Sequence, residues 1–211
     1  MPLHTDRSSA IPWTTQARRL AAAAAALALS ACAVTQAPAP KLVYDFGPAA
    51  PVASNPAVPA LAPLALAEVQ TSVSLDTTAV QFRLTYANAQ ELRPYALARW
   101  SMPPGQLLQQ RVRAVLTSQG PVLSPGEGSP AYALKLELEE FSQQFDAPNS
   151  SQGVVQLRAT LLKGNELSAQ RSFTATAPAP TADAPGGVRA LTAATQDAAT
   201  QIAAWLAQSM P

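Results

Sequence analysis

One histidine and one cysteine are all that this 211-residue chain has of the side chains on which most nucleophilic, redox and metal chemistry depends. His4 lies ahead of an apolar N-terminal run and Cys32 closes that run. Neither is expected in the folded part, so Ser-His-Asp triads, Cys-His pairs and His-ligated zinc are excluded there. A lone cysteine also makes no internal disulfide. Lysine is scarce as well: Lys41, Lys135 and Lys163 have no serine three residues before them, so there is no Ser-x-x-Lys pair. No glycine loop of the phosphate-cradling kind is present. Charged residues make up only 13% of the chain, the formal net charge is +1, and no Lys/Arg cluster stands out. Nucleic-acid binding therefore has no electrostatic support. Carboxylates are the remaining route to acid–base chemistry, and Glu137, Glu139 and Glu140 form the one cluster. Glu137 and Glu139 alternate with leucines, so a solvated strand face explains them better than paired catalytic acids. The chain is not expected to be an enzyme, and no cofactor or metal is implied.

What the N-terminus does have is an address. Arg18-Arg19 precede an apolar stretch from Leu20 to Leu29, and Leu29-Ser30-Ala31-Cys32 has the form of a bacterial lipobox. The apolar stretch is too short to span a bilayer core of about 30 Å and reads as a secretory signal. Residues 1–31 are predicted to be cleaved, and Cys32 to carry the lipid. The predicted remainder is a lipidated cysteine and tether over 32–40, then one folded domain over 41–211. Loss of Asp6, Arg7, Arg18 and Arg19 with the signal brings the formal charge to about −1. At about 0.8 kcal/mol per buried methylene, two or more acyl chains anchor stably where one does not. Ala33 follows the cysteine where Asp would favour the inner membrane, so the expected location is the periplasmic face of the outer membrane.

Alternation and turn residues outline the domain. Leu42, Tyr44 and Phe46 share one face of a strand over 41–46, stopped by Gly47-Pro48, and a Pro/Ala-rich loop follows. Further strands are predicted over 64–70 and 79–86, with a turn at Ser74–Thr78. A helix starts at Pro103-Pro104, presents Leu107, Leu108, Val112, Val115 and Leu116 on one side, and ends at Gly120-Pro121. Residues 131–141 alternate leucine against Lys135, Glu137 and Glu139. A hairpin pairs 154–162 with 167–175 around Gly164-Asn165. A three-residue turn is expected there, because it aligns Leu161 with Ala169 and Leu157 with Phe173. Asp183 caps a last helix carrying Val188, Leu191, Thr195, Ala198, Ile202 and Trp205. The expected fold is α+β, a single domain with one mostly antiparallel or mixed sheet and two helices on one face.

Residues 92–104 fit no periodicity. Arg93, Tyr95, Arg99 and Trp100 crowd between prolines. Trp100 reads as packing beneath the first helix with Arg99 paired to a carboxylate, or the group reads as a recognition surface of interface-prone types. The run Tyr95-Ala-x-x-Arg99-Trp100-x-x-Pro103-Pro104, followed by Leu107-Leu108, resembles the signature of the ABC-type transport auxiliary lipoproteins, the PqiC-like family. Tyr44-x-Phe46-Gly47, Leu75-Asp76 and Ala203-Ala204-Trp205-Leu206 add to it, while Ser74 stands where many relatives have Trp. The resemblance implies a mixed sheet with two helices and an accessory role beside an ABC ATPase, a permease and an MCE-domain protein that move phospholipid or other hydrophobic molecules. The density of interface-prone residues in this proline-shaped stretch, together with its place in the family signature, leads to the expectation that Arg93, Tyr95, Arg99 and Trp100 hold or support the surface that docks a periplasmic partner, the MCE-domain protein or a second copy of this chain. An envelope-assembly or Tol-like scaffold, or a lipid carrier with its own cavity, are the other readings.

Overall fold

The computed structural model describes residues 39–48 and 61–210; the expected signal, Cys32 and most of the tether lie outside them, as does most of the Pro/Ala loop after Pro48. In chain order the elements are β1 (Leu42–Tyr44), β2 (Leu64–Leu66), β3 (Gln70–Thr71), β4 (Ala79–Leu84), β5 (Asn88–Trp100), α1 (Pro104–Thr117), β6 (Val122–Leu123), β7 (Tyr132–Ala147), β8 (Ser150–Lys163), β9 (Glu166–Pro178) and α2 (Ala184–Ser209). Among the described residues the strands make one mixed nine-stranded sheet, the α+β architecture expected.

β7 is the centre of that sheet. Along one edge it runs antiparallel to β8 from Tyr132↔Lys163 to Ala147↔Ser150. Along the other it meets three short strands in succession, all parallel: β2 at Leu64↔Tyr132, β3 at Gln70↔Glu137 and β4 at Phe82↔Gln143. β4 carries β5 antiparallel, and β5 carries β1 parallel at the edge. β6 lies parallel beside β2, and β9 antiparallel beside β8.

Leu134, Leu136 and Leu138 are buried while Lys135, Glu137 and Glu139 face water, so the helices cover one face only. The expected alternation then breaks. Leu138 pairs with Leu157 but Glu140 with Gln156, a one-residue bulge at Glu139. Beyond it the inward positions become Phe141 and Phe145. Glu140 escapes the core and pairs with Arg83 at 3.0 Å. Glu137 and Glu139 share Arg158, at 3.8 and 2.7 Å. The acidic cluster is a paired, partly wet strand face.

Both helices form as the spacing dictates. Pro103 caps α1 with Pro104 in its first turn, and Leu107, Leu108, Val112, Val115 and Leu116 are buried. Asp183 accepts the Gly186 N–H at 2.8 Å at the start of α2, whose stripe from Val188 to Trp205 is buried against the sheet. α2 lies so close that a Cβ on Gly153 of β8 would sit 2.5 Å from the Ala190 carbonyl carbon and Leu191 nitrogen. Only glycine permits that approach.

Three expectations need correction. The strand predicted over 64–70 is two short strands, because the pairing with β7 slips by one residue between Leu66↔Leu134 and Gln70↔Glu137. Residues 88–100, assigned no element from sequence, form a 13-residue strand. The hairpin turn has two residues, since Lys163 pairs with Glu166, and a register shift after Leu161↔Ala169 restores the alignment expected of a longer turn. Gly164 at φ +60, followed by Asn165 without positive φ, suits a two-residue turn. Burial of Leu157 and Leu161 against Phe173 sets the register, and the bulge accommodates the turn.

Trp205 is buried and meets Phe173 edge to face at 5.8 Å. Trp205→Ala should therefore cost about 3–5 kcal/mol, read as a lowered midpoint in urea. An unchanged midpoint would place this ring outside the core.

Candidate functional site

β5 delivers the four singled-out residues to different surroundings. Trp100 is fully buried, edge-on to Phe46 at 5.6 Å and Phe141 at 5.7 Å. Its position follows from the last step of β5, where Tyr44↔Trp100 pairing sets it in the core. Tyr95 packs on Phe82 at 4.6 Å and donates its hydroxyl to Gln143 Oε1 at 2.8 Å. The same Gln143 donates to Ser151 Oγ at 2.8 Å, so a fully buried amide links β5, β7 and β8. Burial first, and then the charge of Asp183, pushes the Tyr95 phenol up to about 12. Trp100 is thus part of the core, and Tyr95 is half-buried against it.

The arginines are outside. Arg93 pairs with Glu91 on its own strand at 2.5 Å, which raises the arginine and lowers the glutamate through their hydrogen bond. A pair this exposed contributes little to stability. Arg99 is exposed and has no carboxylate partner among the described residues, contrary to the pairing expected of it. The backbone accounts for the separation. Between the pairs Ala79↔Arg99 and Gln81↔Pro94, Val80 alone on β4 faces Tyr95, Ala96, Leu97 and Ala98 on β5. Pro94, which has no N–H to give the ladder, adjoins this irregularity. The arch turns Leu97 out, leaving it 54% exposed. On the neighbouring β1, Leu42 and Val43 are 60% and 52% exposed. Arg99 therefore stands beside apolar side chains at an open corner of the sheet.

A residue that sequence reading passed over lies close by. Arg111 of α1 is only 7% exposed, yet no carboxylate meets it among the described residues. Its Nη2 donates to the carbonyls of Phe46 at 2.9 Å and Gly47 at 3.3 Å, and Nη1 donates to Gln196 Oε1 of α2 at 3.1 Å. The guanidinium also sits 5.8 Å from the Phe46 ring centroid. Burial lowers its pKa, though an arginine stays charged at any physiological pH. The signal was there: Arg111 falls three and four residues after Leu108 and Leu107, on the apolar stripe. It floors a groove of about 590 Å³ whose walls are β1 with the turn to Pro48, and the α2 residues Val188, Arg189, Thr192, Ala193 and Gln196. No cluster of His, Cys, Asp and Glu suited to a metal occurs among the described residues, and no helix among them is long and apolar enough to cross a membrane.

The chain matches the family model of the ABC-type transport auxiliary lipoprotein component over residues 44–203. Among solved structures it resembles a Xanthomonas campestris protein of the family DUF330, at 23% identity and TM-score 0.70, covering 80% of this chain and 95% of that one. A structure of an uncharacterized protein is similar over 79% of this chain and 99% of its own, at 16% identity and TM-score 0.61. At such identities these neighbours speak for the fold. No curated protein matches the sequence.

Because the fold favours a neutral Tyr95 phenol, the stability it contributes is intact below pH 10 and is lost as pH rises toward 12. Tyr95→Phe should cost about 0.5–1.5 kcal/mol at neutral pH and blunt the alkaline loss of stability in urea melts. An unaltered alkaline slope would mean that the hydroxyl is wet.

Proposed function

The chain belongs to the family of ABC-type transport auxiliary lipoproteins, and on that premise we propose that it serves an envelope system moving phospholipid or another hydrophobic cargo. It is anchored through lipid on Cys32 at the periplasmic face of the outer membrane. It works by protein docking, not by catalysis, and its partner is the MCE-domain protein associated with the ABC permease and ATPase.

The observation that carries the docking reading is the arrangement of β5. Its aromatic residues pack in or against the core, while Arg99, without a carboxylate partner among the described residues, stands beside exposed Leu97 and Val43. Interfaces are anchored by arginine and apolar side chains that lose water together. Arg93, already paired with Glu91, is the weaker contributor, and Tyr95 and Trp100 support the surface from within. A carrier with a private lipid cavity is less well supported, since the described groove is floored by a guanidinium.

Arg99→Ala should weaken capture of the MCE-domain protein by roughly 5- to 30-fold, equivalent to about 1–2 kcal/mol, at an unchanged melting temperature. Arg93→Ala should have a smaller effect. Full recovery of partner with both variants would refute docking at this corner. Separately, Cys32→Ser should leave the domain folded and shift it from the membrane to the soluble fraction. Retention of that variant after carbonate extraction would reveal a second attachment.

A further inference from the structure

The groove between β1 and α2 combines an open strand edge with uncompensated positive charge. Among the described residues β1 pairs with β5 alone. The Tyr44 carbonyl accepts the Ser101 N–H at 2.7 Å, so strand alternation turns the N–H and C=O of Val43 to the free side. Neither group has a backbone partner there among the described residues. Val43 is among the residues lining the groove and is half exposed. Across from it, α2 presents Val188 and Ala193, the latter an exposed small residue.

Two guanidiniums face this space. Among the described residues Arg111 is held only by neutral acceptors, while Arg189 donates to the Thr181 hydroxyl at 3.1 Å and lies near the Asp183 carboxylate, whose pKa its charge helps to lower. One acid, Asp45, also lines the groove, and its carboxylate accepts the Gly47 N–H at 2.8 Å. The balance of the lining charges is positive.

We infer that this groove takes an extended peptide segment of the docking partner, added to β1 as a further strand, with a carboxylate directed at Arg111 and Arg189. The inference rests on the docking reading and deepens it. Strand addition to a free edge uses main-chain hydrogen bonds for affinity and side-chain pockets for choice of sequence. The Val43 edge supplies the former, and Val188 with Ala193 supplies the latter. The charge decides between an apolar and an acidic segment. A guanidinium denied water gains most from a charged acceptor, and Arg111 meets no carboxylate among the described residues, so an anion is the group that offsets it.

The test uses the full-length lipoprotein in detergent micelles and a random heptapeptide library with free C-terminal carboxylates, beside the same library amidated. Expected is enrichment of peptides that alternate apolar or β-branched residues and end in the free carboxylate, with at least tenfold weaker binding once amidated. Ala193→Trp, which fills the groove from an exposed helix position, should weaken the selected peptide at least tenfold at an unchanged melting temperature. Arg189→Gln should weaken it several-fold. No enrichment, or binding indifferent to Ala193→Trp, would overturn the inference. So would displacement of the selected peptide by phosphatidylglycerol vesicles from wild type and Ala193→Trp alike. The two readings separate in partner capture. An MCE-domain protein still captured by Ala193→Trp removes the groove and leaves the docking function. One not captured by the wild type removes the function itself.

Discussion

A single strand pairing sets the rest of this molecule: β7 against β8, antiparallel over 14 residue pairs and interrupted once within its length, at Glu139, and once at its turn end, at Asp146. Without the first bulge, the alternation that buries Leu134, Leu136 and Leu138 would continue to Glu140 and place a carboxylate in the core. With it, Phe141 and Phe145 turn inward and Glu140 reaches Arg83 of β4. Phe141 is the ring on which Trp100 rests, and Gln143 holds the Tyr95 hydroxyl. The course of β5, and through it the position of β1, therefore depends on one extra residue in the central strand. Leaving a buried carboxylate unpaired would cost several kcal/mol, far more than the local disruption of one ladder step.

The other edge of β7 explains why the sheet is mixed. Three short strands share that edge end to end, all parallel because the chain from Leu64 to Leu84 advances along β7 in one direction. Parallel pairing of two or three residues is weak alone. Leu64 and Leu66, both buried, hold β2 in place through the core. β3 has no such pair, and close approach of α1 takes over: a Cβ on Gly105 would lie 2.7 Å from the Thr71 methyl.

Where side chains repeat with one period, the sequence announces the element. Leucine alternation in β7, the stripe of α2 with Asp183 before it, and Pro103-Pro104 ahead of α1 were all legible. So was the register of the β8–β9 hairpin, though not its turn, because burial selects which residues face each other and a bulge can absorb the remainder. β5 was illegible for a definite reason. Its arch opposite Val80 holds four residues against one, so no period of two survives, and Pro94 argues against a strand on local grounds. Irregularity at Tyr95–Ala98 reflects this arch, in which buried and exposed positions do not alternate simply. Arg111 was missed for the opposite reason. A stripe of apolar residues at helical spacing invites reading every position on it as core, and a charge there passes unnoticed.

Arg111 and Arg99 divide the arginine chemistry of this corner between two kinds of environment. Arg99 is hydrated, so a partner must strip its water before gaining from it, and its contribution arises through an interface that excludes solvent around it. Arg111 has lost its water already in folding. The carbonyls of Phe46 and Gly47 and the Gln196 amide repay part of that desolvation, and in doing so they tie the end of β1 to both helices. Neutral acceptors return less than a charged one would, which leaves the guanidinium as a preorganised positive floor. A partner group arriving there pays no further cost to dehydrate or orient the cation. The residue that fastens β1 in place is thus also the one that gives the groove its sign.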